Sequence, residues 1–188
     1  MKLLKPVWVW KSRSEYLRKI YEKISLNAVK KITSEKELVE IASVASSLLV
    51  REVAIQAVTT PTILFEVSKN PHFLDTVRLC AAKKIKNQID IYLILVSFHR
   101  TGYLHKEILR LLTDENLLAK IVCDPREKFQ HSLALRQITN LSLLENIAKN
   151  SSNSSICCYA VEKLTNQSVL SEIAETSFSK DVRRSAVE

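Results

Sequence analysis

One small set of residues returns through nearly the whole chain every 26 or 27 positions. With the alanine of Ala160-Val161-Glu162-Lys163-Leu164-Thr165 as anchor, equivalent positions fall at Ala28, Ala54, Ala81, Ile108, Ala134, Ala160 and Ala186, spaced 26, 27, 27, 26, 26 and 26 residues apart. A fixed period of this length constrains the fold more than any motif, because each unit is too short to bury its own apolar face and must stack on its neighbours. Around each anchor the apolar residues keep helical spacing. Four residues later stand Ile32, Val58, Ile85, Leu112, Ile138 and Leu164, and four before it Ile24, Val50, Val77, Leu104, Ile156 and Val182, with Gln130 as the exception. A second set follows ten and thirteen residues on, from Leu38 and Ile41 to Leu170 and Ile173. Each set marks one face of a short helix, so each unit reads as two helices.

The break between the helices has a chemical marker. Six residues after each anchor come Ser34, Thr60, Asn87, Asp114, Asn140 and Asn166, all side chains whose oxygen can accept from the orphan amides of a helix's first turn. Pro61 after Thr60 and Glu37 three residues after Ser34 agree with helix starts at these places. Asn70-Pro71 and Asp124-Pro125 read as turns between units, and Gly102 is the one glycine of the chain. The expected fold is all-α: an α-solenoid, or superhelix, of about six two-helix repeats plus a C-terminal half repeat. Residues 1–23 are expected to form an N-terminal basic and aromatic capping segment, 24–176 the repeats, and 177–188 a partial seventh repeat. The chain stops halfway through that unit, so Val182, Ala186 and Val187 need a cover, from further chain, from packing as an unpaired cap, or from a second copy.

The pattern resembles HEAT-like repeats, and more closely the short variant-leucine-rich helical repeat. Asp75-Thr76-Val77-Arg78 with Ala81 and Ile85, Asp181-Val182-Arg183 with Ala186, and Val169-Leu170-Ser171-Glu172-Ile173-Ala174 carry the resemblance, which covers residues 24–188. It implies a binding scaffold rather than an enzyme. Arginine stands three before the anchor only at Arg51, Arg78 and Arg183; Ser25, His105, His131 and Cys157 take the position elsewhere. Histidine there can hydrogen-bond across repeats in arginine's place. The cysteine cluster that can hold an iron–sulfur centre near the start of variant-leucine-rich proteins has no counterpart here.

Charge and chemistry narrow the function classes. Residues 1–31 hold nine Lys or Arg against Glu15 and Glu22, while the rest of the chain is close to balanced. The same basic segment carries Trp8, Trp10, Lys11 and Arg13. Hydrophobic content of 46% supports a packed core, and no apolar run reaches the length of a bilayer span. A cytoplasmic protein is expected. A single glycine rules out a phosphate loop, and no zinc-protease or nucleophile-elbow motif occurs. Cys80, Cys123, Cys157 and Cys158 lack metal-ligand spacing and read as small buried hydrophobes; His72, His99, His105 and His131 are scattered. No catalytic residue, metal or other cofactor is expected.

Two surfaces remain as candidates. On the second helices, the positions eight, eleven, twelve and fifteen after the anchor should face away from the core. They are polar in the fifth and sixth repeats, but in the third they are Ile89, Tyr92, Leu93 and Val96, and Phe65 stands among them in the second. Such a face is either covered or binds a protein partner. A basic stripe, Lys83, Lys84, Lys86, Arg110 and Arg136, together with the N-terminal segment, is the candidate for nucleic acid or an anionic membrane surface, although the same residues solvate an outer face equally well. A dimer through the apolar patch or the open C-terminal end is the third possibility.

Overall fold

In a computed structural model of the chain, residues 25–97, 102–124 and 131–188 are described. Their regular structure is all helical, with no strand among them. The chain divides into two compact units, Met1–Lys86 and Asn87–Glu188.

The first unit contains α1, described over residues 25–29, then α2 (Glu35–Val44), α3 (Leu48–Ala57), α4 (Pro61–Lys69) and α5 (Asp75–Ala82). Helix α2 packs on α3, α4 on α5, and α3 on α5. The second unit contains α6 (Gln88–Val96), α7 (Tyr103–Leu109), α8 (Glu115–Cys123), α9 (His131–Gln137), α10 (Leu141–Asn150), α11 (Ser154–Val161), α12 (Gln167–Thr176) and α13 (Lys180–Ser185). Its even-numbered helices pack in order, α6 on α8, α8 on α10 and α10 on α12. The odd-numbered helices form a second layer, in which α9 packs on α11 and α11 on α13. The core lies between the layers.

In each unit the repeat columns supply the buried residues. The anchors Ala54, Ala81, Ile108, Ala134 and Ala160 are fully buried, as are Val58, Leu112 and Ile138 four residues later. Burial of each large aliphatic contributes about 2 kcal/mol, and the small anchor lets neighbouring helices approach closely. The first anchor differs: Ala28 is exposed, and Val29 takes the buried place.

Five of the six cap positions accept as their chemistry dictates. Ser34 accepts from the Glu37 amide, Asn87 from Ile89, Asp114 from Asn116 and Leu117, Asn140 from Leu143, and Asn166 from Ser168 and Val169. Thr60 precedes Pro61 at the start of α4 and makes no side-chain cap bond; its backbone amide donates to Glu35 of the preceding repeat at 3.1 Å.

Candidate functional site

The repeats are tied together by three columns of polar side chains, and these decide which surface residues remain available. Three residues before the anchor, five side chains reach the carbonyl end of the helix just before their own. Arg51 Nε donates to the Ala45 carbonyl at 2.5 Å, Arg78 Nε to Ser68 at 3.0 Å, and Arg183 to Ser177 at 2.7 Å. His131 Nε2 lies 2.8 Å from the Asp124 carbonyl, so the histidine substitutes for arginine as its position predicts. Cys157 does so more weakly, its thiol 3.2 Å from the Ser151 carbonyl. These donors satisfy carbonyls that a helix end leaves without a partner.

Three residues after the anchor, Lys84 Nζ donates to the carbonyls of Ile55, Gln56 and Val58, one repeat earlier. Lys163 does the same to Leu135, Arg136 and Ile138, and Gln137 reaches Leu109. An ammonium at a helix C-terminus is also favoured by the helix dipole. Lys84 was a candidate for the basic stripe; its amine is a structural clamp instead.

The third column is an acceptor. Glu35 Oε1 receives the Thr59 amide and hydroxyl, both at 2.7 Å, and the Thr60 amide at 3.1 Å. Gln88 takes the equivalent groups of Thr113 and Asp114, and Glu115 those of Thr139 and Asn140. The hydroxyls of Thr60 and Thr59, with the adjoining amides, hold the Glu35 carboxyl at about 2, well below its ordinary 4.5. The Thr139 hydroxyl and Asn140 amide lower Glu115 in the same way. This ladder escaped the sequence reading, yet its signal is plain. Threonine stands five after the anchor at Thr33, Thr59, Thr113, Thr139 and Thr165, and Glu or Gln seven after it at Glu35, Gln88, Glu115 and Gln167. Pro61 and Leu141 take that position in the other two repeats and carry no acceptor.

The apolar candidates separate by exposure. In the second unit, Ile89 is 58% and Leu93 42% exposed, one turn apart on α6. Tyr92 and Val96 flank them and are half-buried, while Ile91, Ile94 and Leu95 fill the core on the opposite side. Helix α6 is thus apolar on both sides. The corresponding outer positions are Asn116, Ala119, Lys120 and Cys123 on α8, and Ser142, Glu145, Asn146 and Lys149 on α10. On α12 they are Ser168, Ser171, Glu172 and Glu175. Phe65, in the first unit, is half-buried, with the Lys69 ammonium 4.8 Å from its ring centroid.

Of the remaining basic candidates, Lys83 and Lys86 are exposed in the first unit and Arg110 and Arg136 in the second, where Arg110 pairs with Glu107. Trp8, Trp10, Lys11 and Arg13, like His99, lie outside the described residues. The four cysteines are free; contrary to expectation only Cys157 is buried, Cys80 and Cys158 being half-buried and Cys123 exposed, and desolvation pushes the thiols of Cys80 and Cys157 above their ordinary range, away from the reactive thiolate form. Among the described residues, no group of three or more His, Cys, Asp or Glu is placed to hold a metal ion, and no helix is long and apolar enough to cross a membrane. Compared with protein-family models, curated proteins and solved structures, the chain finds no match.

Proposed function

We propose that this chain is a non-enzymatic scaffold: a helical-repeat solenoid of the HEAT-like or variant-leucine-rich kind that captures a protein partner in the cytoplasm. The observation that carries this reading is the outer face of α6. Ile89 and Leu93 hold apolar side chains in water at positions that α10 and α12 fill with polar residues. Keeping a large aliphatic exposed forgoes roughly 1–2 kcal/mol of burial. An apolar stripe on an otherwise wet face is the signature of an interaction site. Partner binding buries that stripe, and the polar side chains of α8 and α10 supply the rim.

The test is the double variant Ile89→Ser/Leu93→Ser in affinity capture at two salt concentrations, with nuclease treatment. The expected result is an unchanged helical spectrum and melting temperature with at least tenfold weaker capture of a nuclease-resistant partner. Loss of folding would place the two residues in the core. Capture that nuclease abolishes, and that falls steeply with salt, would move the function to the basic residues.

A further inference from the structure

At Cys157 the carbonyl clamp three residues before the anchor is shortened to a thiol, and a cavity opens beside it. In the α2–α3 and α12–α13 connections a guanidinium reaches the same register carbonyl: Arg51 donates to Ala45, and Arg183 to Ser177. In the α10–α11 connection the equivalent carbonyl is that of Ser151, and the residue facing it is Cys157, a neutral group that ends after one sulfur atom. A cavity of about 420 Å³ adjoins it, lined by Cys157, Ser151, Ser154, Glu172, Thr176 and Phe178 among others. That volume falls within the range of small-ligand sites.

The lining matches the group that is missing. The α10 C-terminus borders the cavity and favours a cation beside it, whereas the α12 end already holds the chain's own Arg183 on the Ser177 and Phe178 carbonyls. Ser151, Ser154 and Thr176 add hydroxyl oxygens. At the rim stand Glu172 and Lys149, and the Lys149 ammonium is shared, at 2.8 Å each, between Glu172 and Glu145. Phe178, also on the rim, is fully exposed and offers an open ring face. Acceptor oxygens, a carboxylate and a free aromatic face are the three things a planar guanidinium uses together.

We propose that this cavity receives an arginine side chain from a partner polypeptide, inserted where the chain's own arginine is replaced by Cys157. The guanidinium donates to the Ser151 carbonyl and to Glu172, and stacks on Phe178. The site lies on α10 to α13 and does not depend on the α6 face.

Calorimetric titration of the full chain with Nα-acetyl-arginine amide tests it. The expected dissociation constant is about 1 mM, in keeping with a ligand of this size, and the neutral isostere Nα-acetyl-citrulline amide should bind at least tenfold more weakly. Cys157→Arg should fill the cavity from within, abolish binding of the arginine probe and raise the melting temperature. Cys157→Ser should leave binding within twofold. Glu172→Gln, on the exposed rim, should weaken binding about fivefold and gives an answer even if Cys157→Arg fails to fold. Equal binding of the citrulline probe, binding unchanged in a folded Cys157→Arg or in Glu172→Gln, or no heat with the arginine probe up to 20 mM (about twentyfold the expected constant) would overturn the proposal.

Discussion

Glu35 and Lys84 do the same work with opposite charge. Each reaches into the adjoining repeat, the carboxylate collecting amides and hydroxyls and the ammonium collecting carbonyls. The carboxylate carries a pH signature. Its folded value of about 2 lies below the ordinary 4.5, so the fold favours the charged form. The resulting stabilisation is complete above pH 4.5 and is lost as pH falls towards 2. Glu115 is lowered too and acts in the same sense. Melting temperatures between pH 5 and pH 2 should therefore fall less steeply in Glu35→Gln than in the parent protein. Gln88 shows that a neutral amide holds the same three donors, so Glu35→Gln should still fold at neutral pH. An identical pH slope in the two proteins would contradict this assignment. Arg78 makes the complementary case. It is 8% exposed and spans the Ser68 carbonyl and Asp75. Arg78→Leu should cost about 2 kcal/mol in urea unfolding, the scale of a hydrogen bond to a charged group.

The elements were largely legible in the sequence because their signals are local. Cap chemistry at Asn87, Asp114, Asn140 and Asn166 places four helix starts within a residue, and Asn140→Ala should cost about 1 kcal/mol. The same logic identifies an improvable cap. Gly102 precedes α7 at φ −165, extended backbone open to any residue, and an added Cβ meets nothing within 4 Å. Gly102→Asp should stabilise the second unit by about 0.5 kcal/mol through capping and a less flexible unfolded chain. What depends on neighbouring repeats was harder to see. The threonine column at Thr59, Thr113 and Thr139 matters only because a Glu or Gln one repeat earlier reaches it. Helical periodicity assigns an inner and an outer face and says nothing of such polar reach. For the same reason Lys84 read as solvated charge. Periodicity also made Tyr92 and Leu93 equally outward, whereas packing leaves Ile89 and Leu93 in the open and half-buries Tyr92.

At the scale of the molecule, two compact units share one repeat grammar, with buried small anchors, aliphatics four residues on and polar ties between successive helix pairs. The grammar is so regular that its breaks stand out. Cys157 and the apolar α6 are two of them, and both lie in the second unit. A regular member should behave as plain core: Leu112→Ala, at a fully buried site, should cost about 3 kcal/mol and leave partner capture intact when the variant is assayed below its melting temperature. Partner capture through α6 is tested most directly by a photo-crosslinking phenylalanine analogue placed at Leu93 and, separately, at Ser171 on the polar outer face of α12. The account predicts a saturable, nuclease-resistant protein adduct from position 93 and none from 171. Equal adducts from both positions, or none from 93 in a folded protein, would contradict it.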